Sequence, residues 1–377
     1  MMQKRIAILT YYFSPEITAA SSRIEVLAES LAKKYSVTVF CPRKNRKGKV
    51  GSVDVGYDVV RCLYVRYNQS NFVIRTFGEL VNCILLIITL LRRGAYDRYV
   101  ITVPSMFLLF LSIFLPKDKV IIDVRDLVWR YLEKTGGGYV GKAFFWISRK
   151  CLGRINKISV TNQFEKDYMD QLFNKKKDVR LFSNGLSREK YRLLSSIKRK
   201  KEVVGQIKIL YVGNIGVAQR IEEMLPYFVG KEDYRFDVVG GGASVSCLLG
   251  VLSSYGGSNI VYHGIKKWSE LYSYYEEADV LLIKLSVGYE SALPSKVYEA
   301  FAINRPVLVV GEGELVRFCE GFANSVVIPA SDLSVLSEKL DGLGEMLGVD
   351  YSGTQKIISE NYIREDLFEQ FGEWCVE

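Results

Sequence analysis

Ile207-Lys208-Ile209-Leu210-Tyr211-Val212-Gly213-Asn214-Ile215-Gly216-Val217-Ala218-Gln219-Arg220 is the stretch that decides the fold. Its first six residues are almost all apolar, as in a strand buried on both faces. Gly213 and Gly216 then let the backbone turn tightly and approach a ligand. Residues 220–228 have helical spacing, so the stretch joins a strand to a helix. A helix start directs free N–H groups and a positive dipole outward, which suits a phosphate, and Arg220 adds a charge-assisted hydrogen bond. The same residues also fit an ordinary glycine turn with a surface arginine.

The alternation continues on both sides. Downstream, strands are expected at 236–239, 260–262, 280–285 and 306–310, with helices at 247–254, 268–278, 296–303, 333–340 and 365–374. Upstream, strands are expected at 6–9, 36–41, 59–64, 98–102, 120–123, 157–161 and 179–181, with helices at 22–34, 77–92, 106–114 and 146–154. Ser183-Asn184-Gly185 is a turn signal. Residues 187–206, charged and weakly patterned around Lys198-Arg199-Lys200-Lys201, read as a linker. The expected fold class is therefore α/β: two Rossmann-like, doubly wound domains, 1–186 and 207–350, facing an interdomain cleft, with ligands at the strand carboxyl ends.

Length and composition agree. A chain of 377 residues has room for two domains. Lys+Arg number 51 against 42 Asp+Glu, and the net charge of +9 permits anionic lipid, phosphorylated ligands or nucleic acid as partners. Nothing interleaves aromatic with basic residues, so nucleic acid is not expected. The seven cysteines stand singly, with no CxxC pair, which argues against disulfides and structural zinc and favours a reduced cytosolic compartment. The single histidine, His263, leaves no two-histidine chemistry; it is expected to pack locally, with contact to a nucleotide base as the alternative. No glycine lies between Thr10 and Arg23, and Gly240-Gly241-Gly242 lacks the dinucleotide spacing, so NAD is disfavoured. GxxxxGK[ST] and GxSxG are absent.

Leu80–Leu91 and Phe107–Pro116 are apolar runs shorter than a bilayer span. They read as core helices, or as helices with one face in a membrane surface, to which Arg43, Lys44, Arg46, Lys47 and Lys49 would draw anionic lipid.

Three further segments lie at expected strand ends. In Leu293-Pro294-Ser295-Lys296-Val297-Tyr298-Glu299, Ser295 and Lys296 sit at a helix start, and Glu299 can accept two hydrogen bonds from a ribose diol or serve as a dipole partner. With the first stretch this describes a nucleotide-diphosphate site. Asp123-Val124-Arg125-Asp126 ends a strand of the first domain, where Asp126 faces the cleft or caps a helix. The loop from Tyr11 to Arg23 borders the same cleft.

These segments, with Ser183-Asn184-Gly185 and Arg305-Pro306-Val307 through Gly311-Glu312-Gly313, resemble the retaining GT-B glycosyltransferases of family 4. The resemblance covers nearly the whole chain and is nearest to bacterial O-antigen and capsule enzymes of the fucosaminyl- or N-acetylhexosaminyltransferase type. It implies a C-terminal segment, 351–377, crossing back to the first domain, and a nucleotide-sugar donor on the second domain, with no metal or other cofactor required. It assigns Glu299 to the donor ribose, Ser295 and Lys296 with Gln219 or Arg220 to the diphosphate, Gly213, Asn214 and Gly216 to the donor loop, and Asp126 to the transferring sugar and acceptor. Departures are visible. The first of two glutamates eight positions apart is Ser291 here, with Glu290 displaced by one; Ala19-Ala20-Ser21 replaces a glycine pair; and Asn214 and Arg220 replace an arginine and a glycine.

The expected function is transfer of a sugar, an N-acetylated or deoxy-hexosamine, from a UDP-sugar to a lipid-linked saccharide acceptor, with retention, in bacterial surface polysaccharide (O-antigen or capsule) synthesis. The expected location is cytoplasmic, peripheral on the inner face of the membrane. A non-catalytic subunit binding membrane and partner enzymes, or a nucleotide-sugar epimerase, are the alternatives.

Overall fold

The computed structural model describes residues 3–16, 19–44, 56–68, 71–130, 138–198, 205–255 and 259–377. Parallel strands β1 (Arg5–Leu9), β2 (Ser36–Pro42), β3 (Asp58–Cys62), β4 (Arg98–Val103), β5 (Val120–Val124), β6 (Lys157–Val160) and β7 (Asp178–Leu181) form one sheet, in the order β3-β2-β1-β4-β5-β6-β7. Strands β8 (Ile207–Asn214), β9 (Tyr234–Gly241), β10 (Ile260–Tyr262), β11 (Val280–Lys284), β12 (Val307–Gly311) and β13 (Ser325–Pro329) form a second, also parallel, in the order β10-β9-β8-β11-β12-β13. The central strands β5, β11 and β12 are buried at every residue, because helices cover both faces. In each sheet the order reverses beside the first strand, between β1 and β4 and between β8 and β11. Such reversals open a crevice at the strand carboxyl ends.

The helices of the first sheet are α1 (Ala19–Ala32), α2 (Phe72–Arg92), α3 (Met106–Leu111), α4 (Gly138–Arg154) and α5 (Gln163–Leu172). Those that follow are α6 (Arg188–Ser195), α7 (Val245–Tyr255), α8 (Trp268–Glu277), α9 (Lys296–Ala302), α10 (Glu314–Cys319), α11 (Leu336–Asp341), α12 (Leu343–Met346), α13 (Ser352–Asn361) and α14 (Arg364–Val376). The chain divides into one unit of residues 1–184 with 364–377 and another of residues 185–363.

Helix α14 belongs to the first unit. Its Phe368, Phe371 and Trp374 are fully buried in a cluster with Ile6, Ile8, Val37 and Val39, each contributing about 1.5–3 kcal/mol by burial. The rest of the 351–377 segment, through Ile363, stays with the second unit.

Several readings change. Within residues 187–206 the structure has a helix, α6, capped by Ser187, whose hydroxyl accepts from Lys190 N. Arg199, Lys200 and Lys201 lie outside the described residues, as do Arg46, Lys47 and Lys49 and the side chains of Ala19 and Ala20. Residues 221–227 form a 3-10 helix containing Pro226, not an α-helix, in which the proline ring would clash with the i−4 carbonyl. Helices α5, α10 and α13 and strand β13 escape the sequence pattern. Cys247 is exposed, whereas the other six cysteines are buried.

Helix α2 runs for 21 residues, started by Asn71, whose side chain accepts from Val73 N and Ile74 N. Val73–Arg92 is, by length and composition, a helix able to cross a membrane, and one third of it is buried in the protein.

Candidate active site

Four segments of the second unit meet at the carboxyl edge of its sheet. The first follows β8. Gly213 lies opposite Gly240 in register, and a Cβ at Gly240 would stand 1.8 Å from Gly213 O, so only glycine allows this approach. Ile215 N donates to Gly241 O, and Ser244 N donates to Ile215 O, which pins the loop from below. Asn214 Nδ2 donates to Gln219 Oε1 at 3.0 Å. Gln219 N and Arg220 N both turn back to Gly216 O. Among the described residues none accepts from the amides of Gly216, Val217 or Ala218. That is a small cradle of backbone donors of the kind that receives an anion.

The expected α-helix dipole is absent here, because the segment continues as a 3-10 helix from a left-handed Arg220 at φ 41°. Positive charge comes from side chains instead. Arg220 Nη1 pairs with Glu223 Oε1 at 3.0 Å, and Glu223 Oε2 lies 2.8 Å from Lys284 Nζ. Lys284 ends β11 with a fully buried side chain, its ammonium also donating to Ser286 Oγ. Burial pulls its pKa below the usual lysine value, and the Glu223 hydrogen bond and charge oppose the fall. Ser286 N donates to Ala218 O, tying the β11 exit to the β8 loop.

The third segment is α9. It has only seven residues, and Ser295, in αR conformation, makes no side-chain cap bond. The anion-attracting feature at this end is Lys296 rather than the helix terminus. Lys296 Nζ lies 2.9 Å from Glu299 Oε2, one turn away. Val212 of β8 lines a small cavity with Lys296, Glu299 and Ala300, which sets the α9 acid beside the strand that carries the loop. Glu299 is buried, and burial alone would raise its pKa. The charges of Lys296 and Lys190 and their hydrogen bonds outweigh that and hold the carboxyl below the usual value.

Lys190, the fourth contributor, comes from α6. Its Nζ lies 2.7 Å from Glu299 Oε1 and 4.2 Å from the centre of the Trp268 ring. Neither Lys190 nor Lys284 was expected at the site. The one lies in a charged stretch read as linker, the other in a run read as buried strand.

Glu290 reaches this edge through its backbone: Glu314 N donates to Glu290 O at 2.7 Å, beside Gly313 at φ 62°. A Cβ at Gly313 would stand 2.3 Å from that same oxygen. His263 lies apart. Its Nε2 is 2.6 Å from Asp237 Oδ1, its ring meets Tyr274 edge-on, and Asp237 also holds Arg235.

In the first unit, Asp126 is exposed just past β5. Arg23, from the Tyr11–Arg23 segment, is buried and structural: it donates to Asp123 Oδ1, Phe182 O and Ser183 O. Glu165 of α5 is buried and accepts from Thr161 N and Thr161 Oγ1 at 2.8 and 2.9 Å. Burial pushes its carboxyl up to about 8, the Thr161 hydrogen bonds oppose the rise, and Asp126 and Asp123 add to it. Tyr11 and Phe13 are buried, and Lys44 lies over the Tyr11 and Tyr12 rings.

Residues 195–346 match the family model "Glycosyl transferases group 1". No curated protein matches the chain in sequence. Sucrose-phosphate synthase from Thermosynechococcus elongatus superposes with a TM-score of 0.78 at 15% identity, over 99% of this chain and 98% of that one. HepE from Anabaena, in complex with UDP and glucose, gives 0.70 at 12% identity, over 99% of each chain. The lipopolysaccharide outer core galactosyltransferase WaaB gives 0.69 at 12% identity, over 98% of each. At such identities the likeness is one of fold, and the fold is GT-B. A group 1 glycosyl transferase domain in the second unit, carried on that fold, makes this chain a transferase enzyme that moves glycosyl groups.

Proposed function

We propose that the chain transfers an N-acetylated or deoxy-hexosamine from a UDP-sugar to a lipid-linked saccharide, with retention, in O-antigen or capsule synthesis. The observation that carries the donor side is the buried Glu299 carboxylate, held ionised by Lys296 and Lys190 beside β8, whose loop has three amides with no acceptor among the described residues. A carboxylate in that state accepts both hydroxyls of a ribose diol. The amides of 216–218, with Arg220, Lys296 and Ser295, receive the diphosphate, and Gly213, Asn214 and Gln219 shape the loop. As the glycosidic bond breaks, negative charge grows on the leaving diphosphate, and fixed donors there stabilise it without a metal. HepE, of the same fold, is known in complex with UDP and with UDP-glucose, which supports a UDP-sugar donor. Asp126, exposed at the β5 end, is assigned to the acceptor and the transferring sugar.

The acceptor side draws on α2. Phe77, Ile84, Ile88 and Leu91 form an exposed apolar stripe along one helix face, next to exposed Leu63 and Val65. Exposed Arg75, Arg92 and Arg93 flank it. Apolar stripe and basic flanks match an anionic lipid surface, where a lipid-linked acceptor resides. This reading puts the enzyme on the inner face of the cytoplasmic membrane. Replacing Glu299 by Ala tests the donor assignment: sugar transfer falls at least about a hundredfold in a folded protein. Unchanged turnover would refute the role.

A further inference from the structure

Lys190 and Trp268 frame the outer side of Glu299 and have no part in the donor contacts assigned above. The Lys190 ammonium touches a carboxylate oxygen at 2.7 Å and an indole face at 4.2 Å at once. Trp268 begins α8, four residues after Gly264, and is 39% exposed. The Lys190 ammonium lies over the indole, and Tyr275 meets the ring at a tilt with centroids 6.4 Å apart.

A nucleoside repeats the chemistry of that ammonium in two parts. Its vicinal diol donates to a carboxylate, and its base, one ribose ring away, stacks on an aromatic side chain. A protonated amine serves both partners as well, by charge-assisted hydrogen bond and by cation–π attraction. The two occupants compete for the same carboxylate lone pairs and the same ring face.

We infer that Trp268 is the platform for the donor's base, and that Lys190 occupies the nucleoside seat until the donor displaces it. The inference rests on the assignment of Glu299 to the ribose. It makes Trp268 a donor-binding residue and Lys190 an internal competitor, whereas a purely structural Lys190 would only fasten α6 to α9.

UDP binding by calorimetry, with tryptophan fluorescence as a second readout, tests it on the full chain. Trp268→Ala is expected to weaken UDP by about tenfold, while Trp268→Phe stays within about threefold, because a stacking face remains. UDP quenches wild-type fluorescence, and Trp268→Phe removes most of the quench. Lys190→Met binds UDP several-fold more tightly, since nothing has to be displaced. Urea midpoints near wild type establish that the variants are folded. If Trp268→Ala binds UDP within twofold of wild type, or if Lys190→Met weakens binding, the inference is overturned while the ribose assignment stands. If Glu299→Ala leaves UDP affinity unchanged, the ribose assignment fails and takes the inference with it.

Discussion

Lys296 Nζ lies 2.9 Å from Glu299 Oε2, and the two residues share one turn of α9. Glu299 is buried, so without its lysines desolvation would favour the neutral acid. With them the carboxyl sits below the ordinary value, and the ionised form survives where a diol needs an acceptor.

That relation predicts a shift in pH dependence. A depressed carboxyl loses its charge only when the pH falls through the lowered value, so UDP affinity in the wild type holds into the acid range. In Lys296→Met one of the two charges that oppose burial is lost, the carboxyl rises, and affinity is lost at a higher pH. Calorimetry between pH 4 and 7 reads the position of the acid limb in both proteins. Identical limbs would contradict the electrostatic role of Lys296.

The Lys284–Glu223 pair predicts an asymmetry. Glu223→Ala leaves a buried ammonium without its carboxylate, at a cost of about 3 kcal/mol. Lys284→Met keeps the volume, removes the charge, and leaves Glu223 to Arg220, at a cost below about 1.5 kcal/mol. Urea unfolding of the two variants measures the difference, and equal losses would mean that burial of the charge is not the cause.

Glu165 carries a pH signature of its own. Its folded carboxyl, at about 8 against an ordinary 4.5, holds a proton that the unfolded chain releases earlier. The folded state therefore binds more protons between those values, and stability falls as the pH rises through the window. Glu165→Gln removes this slope and gains more than about 2 kcal/mol relative to wild type between pH 5 and 8. Parallel stability curves for the two proteins would reject the raised carboxyl.

The apolar stripe of α2 predicts lipid binding. Phe77→Glu with Leu91→Glu is expected to abolish sedimentation with anionic vesicles and to change stability by less than about 0.5 kcal/mol per site. Binding that persists in the double variant would place the contact elsewhere.

Much of the frame is legible in the residues because parallel strands covered on both faces read as continuous apolar runs. Val280–Lys284 and Val307–Gly311 stand out on that ground, and the turns at Gly213 and Pro294 mark the ligand edge. The side chains that tune the site are not legible in the same way. Helix α6 has eight residues, half of them charged, with Leu194 its buried residue, so its periodicity is too short to register and Lys190 reads as solvated. Lys284 sits where the pattern demands an apolar residue, and only the fold supplies Glu223, 61 positions earlier. Pro226 signals that 220–228 is not a regular α-helix, so the helix dipole expected at Arg220 does not form.

The central claim is donor use. The most direct measurement is UDP released when the purified protein is incubated with a panel of UDP-sugars and a membrane lipid extract. The account predicts release with one UDP-hexosamine donor, dependent on the extract and lost in Glu299→Ala. No release with any donor, or release that Glu299→Ala leaves intact, would contradict it.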